Sequence, residues 1–139
     1  MKAFISACAG LVLSLAATGA GATDSDVIRT FEKNGKISFL MSGDAPAGIT
    51  LPGVYGSGHR CLQDYPVHAL LHRQPGKVTL SMTVTPQGRV ENAIVANVDS
   101  AEFAAPSLAC VRDWVYSPAR RNGQPIAVQH TVEIVWILS

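Results

Sequence analysis

The sequence carries little charge, few cysteines and none of the compact motifs that mark a reaction. Charged residues make up 15% of the chain, and 11 basic residues nearly cancel 10 acidic ones. Nucleic-acid and acidic-membrane binding rest on a dense basic face. The one cluster here, Arg120-Arg121, is a pair beside a turn, so neither partner is expected. No Cys-x-x-Cys spacing creates a reactive thiolate. No Gly-x-Ser-x-Gly elbow surrounds Ser57, Ser100 or Ser107, and Gly53, Gly56 and Gly58 precede no Lys-Ser/Thr pair, which removes a phosphate loop. No carboxylate pair stands out at a turn or strand end. The expectation is a protein that is not an enzyme and needs no cofactor.

What is present begins with an export pattern. Lys2 is followed by the apolar stretch Leu11-Val12-Leu13-Ser14-Leu15 and then by Ala20-Gly21-Ala22, the small-x-small pattern of a cleavable signal peptide. Residues 1–22 are read as that signal, with a mature start at Thr23 and a periplasmic product. The rival is an uncleaved inner-membrane anchor, because Ala3 to Ala22 is roughly the 20 residues a bilayer requires; Gly10, Gly19 and Gly21 argue against it. Membrane contact is expected only if that segment is retained. A lipobox reading of Ile5-Ser6-Ala7-Cys8 fails, since the cysteine precedes the apolar core. Cleavage would discard Cys8 and leave Cys61 and Cys110 in an oxidising compartment, where an even pair is expected to bridge.

The mature chain divides into an extension, residues 23–60, and a domain, residues 61–139. In the extension, Val27 to Lys33 suits a short helical turn, Lys36 to Met41 a short strand, and Gly43 to Gly58 is rich in Gly and Pro. The extension is expected to lean on the core. Beyond Cys61 the periodicity sharpens. Pro66 opens a short helix with Val67, Leu70 and Leu71 available to bury, and Pro75-Gly76 ends it. Val78, Leu80, Met82 and Val84 alternate with polar residues as in a half-buried strand; Pro86-Gln87-Gly88 turns, and Val90 to Val98 returns. Ala104, Leu108, Val111 and Val115 recur at helical spacing, Asn122-Gly123 makes a turn, and Ile126, Val128, Val132, Ile134 and Trp136 mark a last strand. The order helix, hairpin, helix, strand predicts an α+β two-layer sandwich: a three-stranded antiparallel sheet with two helices on one face.

Tyr65-Pro66-Val67-His68-Ala69, Gly76-Lys77-Val78 and Val84-Thr85-Pro86-Gln87-Gly88-Arg89-Val90-Glu91-Asn92 closely resemble the opening of the C-terminal domain of the energy transducer TonB. Cys110 to Ala119 resembles that family's helix ending in Trp-x-Tyr/Phe-x-Pro, and Asn122-Gly123-Gln124-Pro125-Ile126 its turn into the last strand. The resemblance runs from Tyr65 to Leu138. It implies a periplasmic protein-binding domain that grips a peptide of an outer-membrane transporter and passes on force. Two departures bear on that role: neither the true membrane anchor nor the Pro-rich spacer of the force transducers is expected here, and Cys61-Leu62-Gln63-Asp64 does not match their transporter-contacting segment.

A last strand at a sheet edge offers unpaired backbone groups to which an extended peptide adds as a further strand. Ala127, Gln129, Thr131 and Glu133 are the outward positions of that candidate edge. The alternative function is a small periplasmic metal-binding protein, because His68 and His72 lie four apart on the first helix and His59 could complete the set. Ala69 stands where a zinc-protease motif needs glutamate. His130 falls on the apolar face of the last strand, where a buried, hydrogen-bonded imidazole is expected. Trp114, Tyr116 and Trp136 are expected core aromatics.

Overall fold

The computed structural model describes residues 27–40, 46–55, 59–61 and 65–138. The predicted signal peptide, with its cleavage site, lies outside the described residues. The elements are strands β1 (Arg29–Lys33), β2 (Lys36–Phe39), β3 (Ile49–Thr50) and β4 (Gly53–Val54), helix α1 (Val67–Leu71), strands β5 (Gly76–Val84) and β6 (Val90–Val98), helix α2 (Ala104–Arg112), and strands β7 (Tyr116–Ser117), β8 (Ala119–Arg121), β9 (Gln124–Ile126) and β10 (Val128–Trp136).

The fold is α+β, with a five-stranded mixed sheet in the order β2-β1-β10-β5-β6 in place of the three-stranded antiparallel sheet expected from the sequence. β10, β5 and β6 pair antiparallel, and the difference lies in the extension. β1 runs parallel to β10 from Arg29↔Gln129 to Lys33↔Glu133, and β2 folds back on β1 through Asn34-Gly35. The helical turn expected over Val27 to Lys33 is instead an extended strand. Pairing with β10 holds it extended, and the residues turned inward are polar: Thr30 and Glu32 are buried, whereas Arg29 and Lys33 are exposed.

Period-2 burial along β5 and β10 gives the sheet one core face. Val78, Leu80, Met82 and Val84 face inward on β5, and Val128, His130, Val132, Ile134 and Trp136 on β10. α2 covers this face through Ser107 and Val111, and Trp136 Nε1 donates to Ser107 Oγ at 2.9 Å. α1 differs from expectation: Ala69 is its buried residue, while Val67, Leu70 and Leu71 are exposed. One turn of helix can present only a narrow stripe, and here the smallest side chain allows the closest approach. Cys61 and Cys110 are joined by a disulfide with a Cα–Cα distance of 5.6 Å, which ties the segment carrying His59 to α2.

Gly88 sets the position of Tyr116. Its φ is +79°, a Cβ there would stand 1.9 Å from the Tyr116 carbonyl oxygen, and Tyr116 N–H donates to Gly88 O at 2.8 Å. Both the left-handed backbone and the close approach require glycine. Gly88→Ala should therefore cost at least about 2 kcal/mol in urea unfolding. An unchanged midpoint would show that the contact gives way freely.

Candidate functional site

The sheet position beside β10 is filled from within the chain, and the filling strand is held by a buried carboxylate. Glu32 projects from β1 to the core side between β10 and the segment leading into β7. His130 Nε2 lies 3.0 Å from one carboxylate oxygen, to which the Tyr116 hydroxyl also donates at 2.7 Å; His59 Nδ1 lies 2.9 Å from the other. Thr30 Oγ1, two residues back on the same face, lies 2.6 Å from His130 Nδ1. His59 stacks on Trp114 at 4.0 Å with the rings 7° from parallel, and its Nε2 lies 3.3 Å from the Val115 carbonyl oxygen. Tyr116 meets His130 edge-on at 5.1 Å. Glu32 is 2% exposed and His130 fully buried, while Glu32 and His59 also border a cavity that opens beside them.

Burial by itself raises the Glu32 carboxyl. The hydrogen bonds from His130, His59 and Tyr116, with the electrostatic pull of His59, outweigh it and lower the pKa from 4.5 to about 2. The Tyr116 hydroxyl is pushed up by burial, then by the Glu32 charge and the hydrogen bond it gives, so it stays a donor. A carboxyl depressed in the folded state adds stability that is complete above its unfolded pKa of 4.5 and is lost as pH falls toward 2. The advantage of the wild-type chain over Glu32→Gln should therefore shrink by roughly 2 kcal/mol between pH 6 and pH 3 in urea unfolding. A pH-independent difference would show that the carboxylate charge contributes nothing.

The candidate edge of the sequence reading needs correction. Gln129, Thr131 and Glu133 lie on β10, but β10 is interior to the sheet. Ala127 precedes β10. Gln129 N–H donates to Ile28 O at 3.0 Å, so by strand alternation the N–H groups of Thr131 and Glu133 also face β1. β1 covers only part of β10. Its ladder ends at Lys33↔Glu133, and past the turn at Asn34-Gly35 a cavity of about 330 Å³ opens along Ile134 to Ile137, lined also by Arg60 and Trp114.

The alternative metal set is not brought together. His59 is committed to Glu32, while His68 sits on α1, where it pairs with Glu102 at 3.4 Å, and His72 lies just past the helix as its C-cap. Among the described residues no group of three or more His, Cys, Asp or Glu is placed to hold a metal. Sequence reasoning missed Thr30, Glu32 and the hydroxyl role of Tyr116; the one available signal was the polar alternation of Thr30 and Glu32 at period 2.

A five-stranded mixed sheet with α2 packed on its core face defines a small α+β domain. The family profile described as "Gram-negative bacterial TonB protein C-terminal" matches residues 62–138, and the chain belongs to that family. Among solved structures, the chain is similar to the TonB C-terminal domain of Pseudomonas aeruginosa (22% identity, 67% of this chain and 89% of that one, TM-score 0.49). It is also similar to the TonB2 protein of Vibrio anguillarum (25% identity, 71% and 97%, TM-score 0.45). A comparison with curated sequences finds no match. β1 and β2 lie outside the matched residues, as does His59. No helix among the described residues is long and apolar enough to cross a membrane.

Proposed function

We propose that this chain is a periplasmic protein-binding module, exported by cleavage of residues 1–22, that holds an extended segment of an envelope partner as a strand added along β10. An outer-membrane transporter is the partner class the family suggests. The observation that carries this reading is the position of β1: the matched domain, residues 62–138, supplies β5, β6 and β10, and a segment from outside it fills the strand position on β10. On this reading β1 is the resident occupant of the position that a partner strand would take in parallel. Backbone bonds would supply the affinity and side chains the selectivity.

Capture from a detergent-solubilised envelope extract tests this. Thr131→Pro removes a donor facing the strand position and should abolish capture, with circular dichroism confirming that the rest of the sheet is intact. Gln129→Ala, which alters a side chain on the opposite face from the core, should reduce capture much less. If Thr131→Pro still captured the partner while Arg120→Ala with Arg121→Ala released it, a charged surface would be the site and strand addition along β10 would fail.

A further inference from the structure

The strand position beside β10 is not chemically neutral. His59, Tyr116 and His130 all converge on one carboxylate, and none of them belongs to the strand that carries it. Among the described residues every buried side-chain nitrogen and oxygen has a partner. If β1 leaves and nothing replaces Glu32, three buried polar groups lose their shared partner, and leaving such groups unpaired is far more costly than exchanging one partner for another. A replacement strand with an apolar residue at that point bears the whole cost. One with an acidic residue there bears almost none.

Resting on the strand-addition reading, we propose that the position along β10 is a receptor for an acidic extended segment: the partner strand runs parallel to β10 and places a carboxylate among His59, Tyr116 and His130, where β1 now places Glu32. Thr30, hydrogen-bonded to His130 two residues earlier, extends the pattern to hydroxyl-x-carboxylate on the inward face. β1 is an imperfect competitor because it stops short. β10 continues to Trp136 while β1 turns away after Lys33, and the cavity along Ile134 to Ile137 lies on the same line. A partner strand that does not turn gains the ladder that β1 forgoes. That gain opposes the advantage β1 holds by being tethered, an effective concentration of order mM for a short linker.

The test uses the full chain and a labelled synthetic peptide copying residues 27–34, beside the same peptide with glutamine in place of its glutamate. In the Glu32→Ala chain, the acidic peptide should bind at least tenfold more tightly than the glutamine peptide. The wild-type chain should bind the acidic peptide at least tenfold more weakly than the variant does. Should Glu32→Ala fail to fold, Glu32→Gln serves as host with the same expected order. Amide shifts in the wild-type chain at millimolar peptide give a measurement independent of any variant, with Thr131 and Glu133 expected to respond to the acidic peptide alone. Equal affinity for the two peptides would overturn the carboxylate requirement and leave strand addition standing. Absence of binding by either peptide, in a chain that still captures its envelope partner, would overturn strand addition along β10 itself.

Discussion

In Glu32→Ala, the amides of Thr131 and Glu133 should lose hydrogen-exchange protection on the order of a hundred- to a thousandfold, while those of Val132 and Ile134 keep theirs. The first pair faces β1 and the second faces β5, so the alternation along one strand separates release of β1 from general unfolding. Breaking a buried charged cluster by removing one partner costs about 3–5 kcal/mol, because the groups left behind remain buried. Here they are His59, Tyr116 and His130. The loss should appear in β1 first, since its ladder on β10 spans five residue pairs and its apolar side chains take little part in the core. Uniform loss of protection across the sheet would show instead that β1 and the domain unfold as one unit.

Trp136→Ala should lower global stability by about 3–5 kcal/mol, the range for removing a large buried aromatic. Trp136 is 1% exposed, meets Tyr65 edge-on at 5.6 Å and Phe103 at 5.9 Å, and donates to Ser107. It thereby joins the end of β10, α2 and the start of α1. Tyr65 reinforces the junction by donating its hydroxyl to the Gln74 carbonyl. Trp136→Phe keeps most of the apolar contact and removes the indole donor, so about 1–2 kcal/mol is expected in the same urea titration. Equal losses for the two substitutions would mean that the hydrogen bond, and not the packed ring, holds the layers together.

Legibility followed the kind of interaction. Val78, Leu80, Met82 and Val84 declare β5 by alternation alone, and Val128 to Trp136 does the same for β10, because one apolar face is buried along the whole of each strand. Helix α2 was readable from Ala104, Leu108 and Val111, but Val115, the fourth residue of that spacing, lies past the helix end in a β-bridge with Arg89. The exposed apolar residues of α1 and the strand at Arg29–Lys33 were misread for a common reason: in both, the buried side chain is not the apolar one that local pattern rewards. An inward Thr30 and Glu32 look like surface residues until their partners are in view.

From residue types and their order alone came the α+β class, the two long alternating strands, the paired cysteines and a family resemblance covering the second half of the chain. Only the tertiary structure decided that the extension enters the sheet in parallel beside β10, that this strand is interior, and that His59, Tyr116 and His130 meet on one carboxylate. Those contacts join Glu32 to residues 27, 84 and 98 positions away along the chain. Burial of alternating apolar groups leaves a periodic trace in the nearest ten residues, whereas a hydrogen bond between distant polar side chains leaves none, because its stabilisation exists only once the fold has removed both partners from water.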